Sequence, residues 1–320
     1  MDKINGGTFM RKLFFIFFIF TVQLIANPGS SYNYGYSARS FALSSAMVAD
    51  KNDTFKSFAN PALLSQCNDI SYGLSYFMMS QDRSIQTFYF SKKLPGNAGV
   101  SGGILRTSIG EFMGKDSFNN PTEELSSSDY YGLLSFGLGS SKGNGIGLSM
   151  RMHYSNLHVN ELHIDKHTGT SITVDLGITY SITSKYQLGL KLQNFLNPNI
   201  NWDINRGDGM SRTYDEQYPL IVMVGSRIDV TNNAKLVIQK DFYLLDYDSE
   251  VYNQFFRFGY EHIIWNNFAL RMGLQDENKY RFGFGYRFDI NTFPLVLDYA
   301  VDLGSENEGI SHLFTWSFNL

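Results

Sequence analysis

From Ser171 to Ile182 apolar and polar residues change places at every step. Ile172, Val174, Leu176, Ile178, Tyr180 and Ile182 are separated by Thr173, Asp175, Gly177, Thr179 and Ser181. A period of two is that of a β-strand with two unlike faces. The pattern returns in Phe268, Leu270, Met272 and Leu274 against Ala269, Arg271, Gly273 and Gln275. It returns again in Phe282, Phe284, Tyr286 and Phe288 against Arg281, Gly283, Gly285, Arg287 and Asp289. Read along the whole chain it predicts strands near 69–79, 84–93, 97–108, 128–139, 145–155, 169–182, 185–195, 217–228, 233–243, 251–262, 266–275, 279–289, 293–301 and 311–320. These are about fourteen segments, each about 9 to 12 residues long, near the length that a tilted membrane-spanning strand needs.

A soluble β-sandwich also alternates, so the period alone does not select a membrane barrel. The connections do. Those after even strands are tight, as in Leu94-Pro95-Gly96, Thr183-Ser184 and 263–265, whereas many after odd strands are long, as in 109–127, 156–168, 196–216 and 244–250. Short turns at one end and long loops at the other are expected of an outer-membrane barrel with both termini in the periplasm. Two odd connections, 80–83 and 276–278, are short as well.

The two faces carry different chemistry. Arg151, Lys191, Arg257, Glu261, Arg271, Arg281, Arg287, Asp289 and Asp298 all fall on the polar phase, and Tyr154, Tyr180, Tyr260, Phe268, Tyr286 and Tyr299 on the other, where they resemble an interfacial girdle. The charges have two readings, a salt-bridge network that stiffens the lumen or the lining of a polar path, and opposite charges on one face, such as Arg287 and Asp289, favour the network. Glycines on that phase, Gly177, Gly189, Gly273, Gly283 and Gly285, leave room for another chain segment. The final strand, 311–320, places Phe314, Trp316, Phe318 and Leu320 on one face, the kind of terminus that barrel-assembly machinery reads, and pairing it with the first strand would remove both edges.

Composition agrees with a barrel. Of 320 residues 16% are aromatic and 18% charged, against about 25% charged in ordinary soluble domains. The net charge of −4 includes no basic block, which argues against nucleic acid as a partner. Arg11 and Lys12 precede the apolar run Leu13 to Val22, and Ala26 offers a cleavage point. Residues 1–26 therefore read as an export signal, with Met10 a plausible natural start. The single cysteine, Cys67, excludes an intramolecular disulfide and reads as a small core residue.

No enzyme chemistry emerges, and no cofactor is expected. His158, His163 and His167 crowd one loop with Glu161 and Asp165, but their spacing fixes no metal geometry. The run from Asp203 to Gly209 is reminiscent of a calcium loop, yet Tyr214 stands where the closing Glu belongs. Among the serines none occupies a Gly-x-Ser-x-Gly elbow.

The stretch from Ala38 to Ser65 departs from the strand pattern. It has two small-residue apolar patches around Asp50-Lys51-Asn52-Asp53 and leads to Asn60-Pro61. With the wall complete from 69 onward, residues 27–68 are expected to fold as a plug in or beneath the lumen, and Asn60-Pro61 to turn the chain into the first strand. Arg39, Asp53, Asn60 and Pro61 on the plug, and Arg257, Arg271, Arg281, Arg287 and Asp289 on the wall, are the candidate functional residues. Ala38-Arg39-Ser40-Phe41-Ala42-Leu43, Ala46-Met47-Val48-Ala49, Asp53 and Asn60-Pro61-Ala62-Leu63 together resemble the N-terminal signature of the PorV/PorQ branch of the FadL-type outer-membrane barrels. Ser44-Ser45 replace that signature's paired glycines.

The resemblance implies an all-β transmembrane barrel of about 14 strands and a non-enzymatic role. Its first implication is assistance to export or surface attachment of proteins, as in type IX secretion, with exported proteins and secretion components as partners. Its alternative is passive passage of fatty acids or other hydrophobic small molecules. Outer-membrane lipid and the barrel-assembly machinery are expected partners in both cases.

Overall fold

Ser71 faces Asn319 and Met78 faces His312 across an antiparallel ladder, so the last strand is bonded to the first and the sheet closes on itself. In the computed structural model the described residues are 34–67, 70–115, 118–159, 166–196, 199–206, 210–244, 251, 253–265, 267–276, 279–290, 293–304 and 309–319. The expected export signal, 1–26, lies outside them. The strands are β1 (Ile70–Met78), β2 (Arg83–Leu94), β3 (Ala98–Lys115), β4 (Pro121–Gly139), β5 (Gly145–Val159), β6 (Lys166–Ser181), β7 (Tyr186–Leu196), β8 (Asn199–Arg206), β9 (Met210–Gln217), β10 (Leu220–Asp229), β11 (Ala234–Leu244), β12 (Asn253–Ile264), β13 (Phe268–Gln275), β14 (Lys279–Ile290), β15 (Phe293–Asp302) and β16 (Ser311–Asn319). Fourteen of them, all but β8 and β9, form a closed antiparallel barrel in chain order.

β8 and β9 form a hairpin over 199–217, where the sequence reading expects the long connection 196–216. It pairs with the early part of β6, His167 opposite Ile204 and Thr170 opposite Asn201. Asp203, which opens the calcium-like run, therefore lies in a strand opposite Thr213. A second difference concerns β3 and β4, which continue past Ile109, the last residue of β3 that pairs with β2. Polar residues in 121–128 hide the alternation there, although the backbone ladder does not need it.

The outward face is apolar. Leu74, Ile104, Leu134, Leu148, Ile172 and Leu270 are all exposed there, a continuous exterior suited to hydrocarbon rather than water. At the tight-turn end Gly96 and Asn97 both take positive φ, as a short hairpin connection with the strands' right-handed twist requires.

The largest buried cluster lies inside the barrel, between its wall and residues 34–67. It includes Phe41, Leu43, Met47, Phe55 and Leu63 from the inner segment and Phe77, Tyr89, Leu105 and Tyr131 from the wall. The inner segment contains α1 (Ala38–Ala42), α2 (Lys56–Ala59) and a 3-10 turn (Pro61–Gln66). Ser37 caps α1 by accepting from Ser40 N. Asn60 caps the 3-10 turn by accepting from Ala62 N, with Pro61 next to it in the first turn. Asn60-Pro61 thus opens a further turn inside the lumen before the chain reaches β1.

Glycine makes this nesting possible. Gly99, Gly137, Gly147 and Gly177 are mutual register partners across β3 to β6 and form one row on the inner wall. The 3-10 turn lies on that row: a Cβ at Gly137 would stand 2.5 Å from Pro61 O, and one at Gly147 2.5 Å from Ala62 N. Gly189 and Gly225 pair in the same way beneath Val48, and Gly259 and Gly273 beneath Leu43 and Ser44.

Candidate functional site

Two unlike surfaces meet the inner segment. On the β10 to β15 side the contact is ionic. Arg39, at the start of α1, donates from Nη2 to Asp50 at 2.6 Å and from Nε to Glu261 at 2.8 Å, and lies 3.8 Å from Asp53. Glu261 also accepts from Lys235 at 2.8 Å and from Arg271 at 2.7 Å, and Arg271 reaches Asp298 at 2.6 Å. Arg227 approaches Asp50 at 3.5 Å. All these side chains are buried, and buried charges need partners of opposite sign. The strands supply them in register: Lys235 faces Glu261, and Glu261 faces Arg271.

Beside this network a cavity of about 280 Å³ opens toward the tight-turn end, lined by Arg39, Asp53, Lys235, Glu261, Arg271 and Asp298 among others. Within the inner segment, burial raises the Asp53 carboxyl above its ordinary value and lowers the Lys56 ammonium below its own. Further along the wall Arg257 pairs with Asp241 at 2.7 Å and donates to Ser44 O at 3.1 Å, holding the bend after α1.

On the β1 to β4 side the contact is aromatic, and among the described residues no ion pair crosses it. Phe55 lies 5.3 Å from Tyr89, ring centre to ring centre, and Phe58 5.8 Å from Tyr131. Tyr36 stacks on Phe58 at 5.5 Å. Nearer the long-loop end Phe41 packs edge-on against Phe77 at 4.9 Å. Hydroxyls join at one point, where Ser101 donates to Ser57 at 2.7 Å and Ser57 to Tyr89 at 3.4 Å.

A third group stiffens the wall between β5 and β7. Asp175 takes Arg151 at 2.6 Å and Lys191 at 3.3 Å, and Lys191 also donates to Phe58 O at 2.9 Å.

The nine candidate residues separate in space. Arg39 and Arg271 meet on Glu261, and Asp53 lies at its edge. Asn60 bridges the inner segment to the wall, donating to Val48 O at 2.9 Å and to Ile178 O and Leu190 O at 3.2 Å, while Pro61 rests on the glycine row. Arg257 holds Ser44. Arg281 pairs with no acid among the described residues; its guanidinium lies 4.1 Å from the centre of the Phe41 ring. Arg287 and Asp289 bond each other at 3.3 Å, but their side chains are 53% and 64% exposed at the tight-turn rim, so the pair from which a lumen network was inferred is not in it. The buried pairs of the wall, such as Lys235–Glu261, Arg271–Glu261 and Arg257–Asp241, join different strands instead.

The alternation did not single out Asp50, Lys235, Asp241, Asp175 or the inward rings. A signal existed for the rings: Phe77, Tyr89 and Tyr131 stand on the otherwise polar phase. Of the loop histidines, His163 lies outside the described residues, and no group of three metal-ligating side chains occurs among the described ones.

No protein-family model matches the chain, and no curated protein matches its sequence. Solved structures do share its fold. The toluene transporter TbuX of Ralstonia pickettii is similar with a TM-score of 0.64 at 13% identity, over 90% of this chain and 99% of that one. The toluene transporter TodX of P. putida gives 0.60 at 14%, over 90% and 99%. A FadL homologue of Pseudomonas aeruginosa gives 0.55 at 10%, over 90% and 97%. The fold is that of the FadL-like barrels.

Proposed function

We propose that the protein is an outer-membrane channel for hydrophobic small molecules, toluene-like hydrocarbons or fatty acids among them, and that residues 34–67 are its plug. The observation that carries this reading is the asymmetry of the plug's attachment. Buried ion pairs, Arg39–Glu261 and Asp50–Arg227, tie it to β12 and β10, whereas ring packing and a few hydroxyls hold it against β1 to β4. An apolar molecule gains nothing from the ionic side and can replace ring contacts on the other. Likeness in fold to two toluene transporters and a FadL homologue supports the same reading. It favours the channel over assistance to protein export, the role that the N-terminal resemblance implies first. In this orientation the tight turns face the periplasm and the long connections the outside.

Uptake of radiolabelled toluene and oleate by cells carrying the full-length protein in an otherwise channel-deficient outer membrane tests this. The expected result is uptake above the empty vector. Ser57→Cys with Ser101→Cys, in a Cys67→Ser background, brings two thiols to where the hydroxyls now stand 2.7 Å apart. Oxidation should then pin the plug to β3 and abolish uptake, and reduction should restore it. A correctly inserted barrel that raises uptake of neither probe would sink the reading.

A further inference from the structure

On the outer surface of the barrel two glycines interrupt the apolar wall. Gly132 of β4 stands between Ile104 and Met152 in register, and Gly102 of β3, one row nearer the tight turns, between Phe90 and Leu134. A Cβ at Gly102 would meet the protein no closer than 3.7 Å, and one at Gly132 no closer than 3.8 Å, so no side chain of this protein fills the space over either. The result is a depression of about 420 Å³ in the outer wall, with Phe88 and Phe90 on one flank and Met150 and Met152 on the other. Rings and flexible thioethers without a charged atom suit an acyl chain.

The next row toward the long-loop end holds a cation. Gln86, Arg106, Tyr130 and Tyr154 are register partners across β2 to β5, and Tyr130 is two residues along β4 from Gly132, about 7 Å of strand. The Arg106 guanidinium lies over the Tyr130 ring, 5.6 Å from its centre, and that ring is 6.2 Å from Tyr154. Its Nε is buried without a hydrogen-bond partner, and among the described residues no acid pairs with it. One row further out, Ser84, Ser108, Ser128 and Asn156 are all polar. Arg106 therefore stands where the apolar band ends, at the level of lipid headgroups. An unpaired charge at that boundary calls for an anion. A guanidinium lying on a ring keeps its N–H edge free for two oxygens of a phosphate.

We propose that this part of the outer wall binds one molecule of lipid A, the phosphorylated, multiply acylated glycolipid of the outer leaflet. Its phosphate sits on Arg106, its sugar faces the row of serines and Asn156, and one acyl chain lies in the depression over Gly132 and Gly102. The inference goes beyond the channel reading and rests only on a barrel whose long connections face outward. Cation, depression and polar row together decide the class of ligand. A free phosphate uses the arginine and leaves the depression empty. A zwitterionic phospholipid fills the depression, but its phosphate carries a cation of its own and it has no sugar for the hydroxyls.

Native mass spectrometry of the full-length protein, released from detergent micelles after incubation with lipid A, phosphatidylglycerol or phosphatidylcholine, tests the proposal. One lipid A per protein should be retained, about tenfold more tightly than phosphatidylcholine, with phosphatidylglycerol between them. Arg106→Gln should weaken lipid A retention about tenfold, a charge-assisted hydrogen bond's worth, and Arg106→Lys should weaken it less. Gly102→Leu with Gly132→Leu fills the depression from the wall and should remove the retained lipid. Heat-modifiable migration shows in each case that the barrel is intact. The proposal is overturned if the unaltered protein retains lipid A no better than phosphatidylglycerol, or if either Arg106→Gln or the glycine-filled variant retains as much lipid A as the unaltered protein. Failure of lipid retention leaves the channel reading standing, and absence of toluene and oleate uptake leaves this site standing.

Discussion

Arg39 of the plug and Glu261 of β12 are 222 positions apart in the chain and share two hydrogen bonds, of 2.8 and 3.1 Å, in a buried site. The guanidinium meets one carboxylate as a fork while its Nη2 also holds Asp50. Removing it leaves Glu261 with Lys235 and Arg271, and Asp50 with Arg227, so the wall keeps its own pairing and the plug loses its anchor. Arg39→Ala should weaken plug docking by about 3 kcal/mol. Hydrogen exchange should speed up across 38–60 and stay slow in β11 to β13. Arg39→Lys should fall between the two, because an ammonium cannot make the fork. Equal loss of protection in plug and wall would contradict this division.

The wall was legible because its physics is local. A strand between lipid and a polar lumen must alternate, and 171–182, 267–275 and 279–289 do so over their full length. The pairing of charges was not legible, because it depends on register between strands. Arg287 and Asp289 are neighbours in sequence on one face and stand exposed at the rim, whereas Arg271, Glu261 and Arg39 come from three separate elements. The inward glycines marked where a segment could lie, but only register aligns Gly99, Gly137, Gly147 and Gly177 into the row on which Pro61 and Ala62 rest. The β8–β9 hairpin was missed for a further reason: Asn199 to Ile204 does alternate, with Ile200 buried between exposed Asn199 and Asn201, but its partner strand β9 is exposed from Ser211 to Asp215 and offers no buried apolar face to mark a second strand.

Asp175 joins two cations of the wall, Arg151 and Lys191, and its other oxygen accepts from Asn194 N at 3.0 Å, where Asn194 has a positive φ. Asp175→Ala leaves two buried cations without their acid and frees an irregular backbone. The expected loss is about 3 to 5 kcal/mol. It should appear as a lower urea midpoint for the barrel refolded into lipid vesicles. Because Lys191 also holds Phe58 O, plug protection should fall with it, unlike the wall in the Arg39 variant.

Ser44 and Ser45 both take φ near +55°, at 53° and 58°, the left-handed region that favours glycine. The serines thus keep the bend that paired glycines would make, at a cost in backbone strain, and neither hydroxyl has a hydrogen-bond partner. Ser45→Gly should stabilise plug docking by about 0.5 to 1 kcal/mol through relief of that strain, somewhat offset by the greater freedom of glycine in the unfolded chain. Slower hydrogen exchange over 43–49 would register the gain, and faster exchange there would count against it.

The last prediction separates the plug from the barrel. Gly147 faces inward beneath the 3-10 turn, and an added Cβ would lie 2.5 Å from Ala62 N, a backbone atom that cannot swing aside. Gly132 faces outward on the neighbouring strand, where an added Cβ would meet Met152 Cβ at 3.8 Å, an ordinary contact. Both sit in regular ladders, so a leucine disturbs the sheet equally little at either place. Gly147→Leu should therefore push Pro61–Gln66 off the wall, expose residues 55–66 to protease and leave heat-modifiable migration unchanged. Gly132→Leu should keep the plug protected. If Gly147→Leu abolished barrel assembly instead, the wall would depend on the plug to fold, and the view of residues 34–67 as a separable insert would have to be given up.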